Sequence, residues 1–172
     1  MPLRRLLPAA LAVAALVAVA APGSARAEGG PFGIGLIIGS PTGISAKYYL
    51  GESGNNAIDG AFGAAFVGAS GWHLHADYLW HPVVLTSDPS FKLPLHVGLG
   101  ARLLEHDRGR DGDDHLHVGL RAPVGITFDF TQIPLDVFLE VALILDFHGE
   151  EGDDGGHLGL DLNAGVGVRY YF

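Results

Sequence analysis

The chain has 172 residues, enough for one domain, with no cysteine and 19 Asp and Glu against 10 Lys and Arg. That balance excludes a phosphate-gripping nucleic-acid surface, which needs clustered cations; the lack of thiols excludes a disulfide framework and a lipid-modified N-terminal Cys. Hydrophobic residues make up 48% of the sequence and glycine contributes 26, so a large apolar surface must be placed without covalent staples.

Residues 1–27 read as a secretory signal peptide. Arg4 and Arg5 precede an apolar Ala/Leu/Val run over 6–21, and Ala25-Arg26-Ala27 forms an A-x-A cleavage site. Removing Arg4, Arg5 and Arg26 takes the 10 basic residues to 7, so the remaining domain, 28–172, carries −12 against its 19 acids. No later apolar run has the length of a membrane helix. A chain of this kind enters a bilayer only as a closed sheet, in which every backbone group is paired.

Eight stretches then alternate apolar with polar or small residues, the two-residue period of a strand. They span 32–40, 44–50, 58–68, 72–81, 93–104, 116–130, 135–147 and 158–172. The third is the least regular, since Gly60 and Ala64 fall on its apolar face. The fourth sets Trp72, Leu74, Ala76, Tyr78 and Trp80 against His73, His75, Asp77 and His81. The sixth holds its period for some fifteen residues, with Leu116, Val118, Leu120 and Phe128 on one face and Gly119, Arg121, Gly125 and Asp129 on the other. A long strand with a continuous apolar face and a Gly/charged reverse face suits a lipid-facing barrel wall. The expected fold is therefore all-β, an eight-stranded antiparallel up-and-down transmembrane β-barrel, whose interior at this strand number is filled by side chains.

The connections set its orientation. Residues 105–115 and 149–156 are long, Gly-rich and acidic, whereas the turn at 131–134 is short, so the long loops face outward and both termini face the periplasm. Outward aromatics gather at the inner edge (Phe32, Tyr48, Trp80, Phe128, Phe130, Tyr170 and Phe172), with Trp72 and Phe147 at the outer edge. Segment 81–92 fits less well: Pro82, Pro89 and Ser90 are expected to break any strand there.

The segments His75-Ala76-Asp77-Tyr78-Leu79-Trp80, Leu139-Glu140-Val141 and the closing Val168-Arg169-Tyr170-Tyr171-Phe172 give the chain its resemblance. It resembles the small OmpA/OmpX-type outer-membrane barrels and, more narrowly, is similar to a family of uncharacterised small outer-membrane β-barrel proteins. The resemblance implies placement in the cell outer membrane, contact with lipid and lipopolysaccharide, and delivery to the barrel-assembly machinery through a last strand ending in Phe172. It implies no enzymatic activity. The protein is expected to be a monomer.

Two groups of residues carry what chemistry there is. The first is a charge cluster in the lumen: Lys47, Arg102, Arg121, Asp129, Asp136, Glu140 and Arg169, together with Asp59, Asp77 and Asp161. If His148 pairs with His157, the position sums set Asp136 opposite Arg169; if Asp129 pairs with Asp136, both carboxylates flank that arginine. Such buried charges must be paired, and the expected role is a polar plug rather than an ion gate or proton path. The second is a set of histidines near the outer rim: His73, His75, His106, His115, His117, His148 and His157, interleaved with loop carboxylates. Imidazoles suit a divalent transition metal, although no spacing matches a known tight site and a solvated acidic rim competes with that reading. No cofactor is otherwise expected. Ser70 near His73 forms no complete catalytic constellation, so the chain is not expected to be an enzyme. The expected function is a structural or surface-interaction barrel. The alternatives are a narrow ion or water pore, a metal-binding surface barrel, and a soluble exported lipocalin-like carrier, which would reverse the two faces.

Overall fold

A computed structural model describes residues 29–64, 71–106, 115–148 and 157–172. The expected signal peptide (1–27), the end of the third predicted strand (65–68), Ser70 and the acidic connections 107–114 and 149–156 lie outside these residues. Eight strands form: β1 (Phe32–Gly39), β2 (Thr42–Leu50), β3 (Asn56–Ala64), β4 (Trp72–Ser87), β5 (Phe91–His106), β6 (His115–Phe130), β7 (Leu135–His148) and β8 (His157–Tyr171). Each pairs antiparallel with its sequence neighbour, and β8 closes onto β1 through Ile34↔Tyr170 and Leu36↔Val168. The sheet is a closed barrel, so every strand has hydrogen-bonded neighbours on both sides over its paired length.

The first described residues (29–31), Phe172 and the connections 51–55, 88–90 and 131–134 lie at one end, here the terminal end. The opposite, distal end carries Ser40 and Pro41 between β1 and β2 and the described ends of β3, β5 and β7 and starts of β4, β6 and β8. The wall is uneven in height. β1 to β3 run for 8 or 9 residues, whereas β4 to β8 run for 14 to 16.

The two-residue period sorts the side chains inside out relative to a water-soluble protein. Leu36, Ile38, Phe62, Leu99, Leu139 and Leu162 face outward and are exposed, Leu162 by 63%. Lys47, Asp77, Arg102, Arg121, Asp136 and Arg169 face inward and are buried. The outward aromatics form two groups: Phe32, Tyr48, Trp80, Phe128, Tyr170 and Phe172 toward the terminal end, and the Phe62–Trp72 pair, 6.3 Å between ring centroids, with Phe147 toward the distal end.

Inside, two small apolar clusters separate the polar groups: Tyr49, Ala57, Leu79 and Tyr171 in one, Ile37, Ala61 and Phe138 in the other. Glycine makes room for the large members. A Cβ on Gly33 would lie 2.7 Å from the Tyr171 ring, and one on Gly167 would fall against the Phe138 ring.

Segment 81–92 departs from expectation. It continues both strands, with β4 reaching Ser87, β5 starting at Phe91 and only 88–90 turning. Pro82 is tolerated because it falls within a register shift on the β5 side, between Trp80↔Val97 and Val83↔Leu95. A bulge leaves one residue unpaired, so the missing N–H removes no ladder bond. The neighbouring His81 N–H still donates to the Asn55 carbonyl at 2.8 Å, where β3 pairing ends.

Candidate functional site

The charged lumen is organised as three tiers along the barrel, each built on one arginine that holds two carboxylates. Nearest the terminal end, Arg169 of β8 donates from Nη1 to Asp59 Oδ2 at 2.5 Å and from Nε to Asp136 Oδ1 at 3.2 Å. Its guanidinium carbon stands 3.9 Å from the Phe138 ring centroid, and the Tyr171 hydroxyl donates to the other Asp136 oxygen at 2.7 Å. Asp136 is a neighbour by register (Asp136↔Arg169); Asp59 reaches in from β3 across the lumen. Asp129 is buried on β6 directly opposite Asp136.

Lys47, on β2, stands apart from the arginine tiers. Its Nζ is 2.9 Å from His81 Nε2 and 4.6 Å from the centroid of the Tyr49 ring. An ammonium group has only donors, so His81 accepts at Nε2 and turns Nδ1 toward the Asn55 carbonyl, 3.3 Å away.

In the middle tier Arg121 of β6 bonds Asp77 of β4 and donates to Glu140 Oε1 of β7 at 2.5 Å. The other Glu140 oxygen lies 3.2 Å from His96 Nε2, and His96 Nδ1 lies 3.5 Å from the Thr127 hydroxyl. In the distal tier Arg102 of β5 bonds both oxygens of Asp146 and meets Asp161 Oδ2 at 2.9 Å. It also donates to Asn163 Oδ1 at 3.1 Å, and Asn163 donates to Ser40 Oγ at 3.3 Å. Planar guanidinium forks suit this double engagement, since each can present donors to two acceptors at once.

The ten charged residues singled out from the sequence all take inward positions on their strands; eight of them fall into the three arginine tiers rather than one cluster, with Lys47 and Asp129 beside them. Asp146, His96, Asn163 and Tyr171 complete the tiers and His81 pairs with Lys47; none of the five was among those singled out. Each sits at an inward position of its strand, so parity alone could have added them.

The histidines divide. His73 and His75, expected at the rim, are buried in the lumen beneath the distal mouth, with His73 Nε2 3.3 Å from His75 Nδ1. β4 begins at Trp72, one residue before His73, whereas β5 and β6 run two residues past the His73 register, to His106 and His115. His117 is half-buried on β6. By backbone register His106 lies opposite His115 and His148 opposite His157, at the ends of the two tall hairpins; their side chains are outside the description. Donor atoms of His75, Asp77 and Glu140 lie within 4.8 Å of one another, a spacing that could hold an ion. Arg121 already occupies both of those carboxylates, so a dication there would face a guanidinium in direct contact.

No family model and no curated protein matches the chain. Among solved structures it is similar to the N-terminal β-barrel domain of Pseudomonas aeruginosa OprF, at 18% identity and a TM-score of 0.57. The match covers 84% of this chain and 100% of that domain. The fold is that of a small OmpA/OmpX-type barrel. Closure, strand number and antiparallel order agree with that type, so the resemblance read from the sequence holds at the level of the fold.

Proposed function

We propose that this protein is an integral outer-membrane β-barrel with a structural or surface-interaction role, and that its lumen is a side-chain plug rather than a pore. The observation that carries the reading is the inverted distribution of polarity. Large apolar side chains cover the outside, while arginines, carboxylates and histidines are buried within. Water would not tolerate that exterior as a free surface, and lipid requires it. A lipocalin-like carrier needs the opposite arrangement, with an apolar interior for its ligand, and the burial pattern argues against it.

The dimensions agree. Strands of 8 or 9 residues, tilted as in such barrels, rise about 20–23 Å, close to the roughly 25 Å apolar band of outer-membrane barrels. The termini then face the periplasm and the tall hairpins β5–β6 and β7–β8 face outward. Phe172, exposed at the end of β8, is presented for recognition by the assembly machinery. The paired tiers fill the lumen and hold its register, which favours a monomeric structural barrel without catalytic machinery.

The test is fractionation. The expressed protein should partition with the outer membrane, be released only by detergent, and show heat-modifiable gel mobility. Recovery in the soluble periplasmic fraction would sink the membrane reading. Planar-bilayer recording of the purified barrel should give no stable single-channel steps at neutral pH; steady conductance would replace the plug with a narrow pore.

A further inference from the structure

The described distal rim drops sharply at the seam where the barrel closes. β1 and β2 are joined by Ser40 and Pro41 alone, and Thr42 Oγ1 both donates to the Gly39 carbonyl and accepts from the Gly39 N–H, so the wall ends there. Across the seam β8 continues. Its last pair with β1 is Gly39↔Gly165, beyond which the Ser40 N–H donates to the Ala164 carbonyl. Residues 157–163 run on past that point, paired with β7 from Ala142↔Asn163 to His148↔His157. Leu158, seven residues beyond Gly165, stands about 15–18 Å higher at the tilt of such strands.

The two sides of the seam need different surroundings. Leu158, Leu160 and Leu162 project outward and are exposed, continuing the apolar face of Val166, Val168 and Tyr170. From Tyr170 to Leu158 that face spans twelve residues, about 30 Å, against about 20 Å for the whole of β1. Phe147, opposite Leu158 on β7, extends the tall side.

A carboxylate stands at the same height. Ala164 turns its carbonyl to the seam, so by the alternation of the strand Leu162 turns its N–H there as well. Asp161 Oδ1 accepts that N–H at 2.8 Å, while Oδ2 meets Arg102 at 2.9 Å. This half-exposed carboxylate therefore lies on the open lip between the lumen and the seam. A bilayer level with Leu158 would submerge it, and the backbone edge beside it, in hydrocarbon that satisfies neither. A bilayer level with Ile38 would leave three exposed leucines in water. Tilting the barrel removes neither conflict, because β8 and β1 are adjacent strands about 4.8 Å apart and a rigid tilt changes height gradually around the ring.

We propose that the outer polar boundary of the bilayer is stepped around this barrel. Over the β1–β2 turn it descends to Ser40 and Asp161, where headgroups and water solvate the lip; on the neighbouring outer face of β8 and β7, acyl chains rise to Leu158 and Phe147. The partner of this surface is the lipid itself, thin on one side of the seam and thick on the other, a deformation that bilayers accept at modest cost per ångström. The proposal rests on the membrane reading above and gives that interface a shape.

The chain has no cysteine, so single cysteines can carry a nitroxide label without competition. Leu139→Cys, Ile38→Cys and Leu158→Cys would be labelled separately in barrels refolded into dimyristoylphosphatidylcholine vesicles. Depth is read from collision rates with oxygen and with a water-soluble nickel chelate. Positions 38 and 158 are expected to be shallow and to agree in depth within about 5 Å, although the wall separates them by about 15–18 Å. Position 139 should be deep. A depth difference equal to the wall height, or an aqueous label at 158, would overturn the proposal and leave the bilayer level. An aqueous label at 139 would sink the membrane reading and the proposal with it. Amide hydrogen exchange in the same vesicles needs no substitution: Leu160, whose N–H points to the seam, should exchange roughly tenfold faster than Leu145 opposite it. Equal protection of the two amides would show a dry lip and would also overturn the proposal.

Discussion

The terminal-end tier and the distal tier use the same device in different surroundings. Arg169 holds Asp59 and Asp136, all three buried, with an aromatic ring stacked beneath and a tyrosine hydroxyl on the far carboxylate oxygen. Arg102 holds Asp146 and Asp161, but the Asp161 side chain is 49% exposed. Where water is excluded, each partner is essential because its loss strands a charge. Where water reaches, a partner can be lost and replaced by solvent. The barrel is therefore locked at its terminal end and adaptable at its mouth.

The largest test of that contrast is Arg169→Leu. It leaves Asp59 and Asp136 without their guanidinium and is expected to cost about 3–5 kcal/mol, read as a drop in the urea midpoint of the detergent-folded barrel. Replacing Asp59, Asp136 and Arg169 together by Leu should recover part of that loss, since none of these three charges is then stranded, although the buried Lys47 opposite position 59 loses its nearby carboxylates. On the outer face, Leu139→Arg puts a cation in the middle of the apolar band, at a position 51% exposed. It should cost about 2–4 kcal/mol in lipid vesicles. A soluble barrel would accept it with almost no change in stability.

A smaller effect is expected from Gly167→Ala. The added methyl presses on Phe138, which stacks against Arg169, so overpacking of about 1–3 kcal/mol should appear as a lowered thermal midpoint. Asp161→Asn is the smallest. Arg102 keeps Asp146 and Asn163, and the unfolding midpoint should move by less than about 1 kcal/mol. A cost for Asp161→Asn equal to that of Arg169→Leu would erase the distinction between the two ends.

Local register was legible in the sequence. Alternation over 135–147 and 158–172, with His148 taken opposite His157, placed Asp136 opposite Arg169, because antiparallel pairing fixes the position sum once one pair is known. Segment 81–92 was misread for the same reason: a proline signals a strand break only if its N–H is needed, and the bulge that removes the need is invisible in the alternation. Partners across the lumen were also out of reach. Arg169 meets Asp59 across a sequence separation of 110, and which inward residues face one another depends on how the sheet tilts and closes, not on any single ladder.

The Arg169–Asp59 contact has a consequence for the way the chain acquires its shape. It joins the last strand to the third, and the β1–β8 ladder joins the last strand to the first. Neither can form while the C-terminal strand is unplaced, so a chain stalled at seven strands keeps Asp59 without its guanidinium and β1 without its second neighbour. Contacts of such sequence separation make assembly slow and all-or-none. Truncation before Arg169 should then yield no partial barrel at all, only chain that remains accessible to proteases.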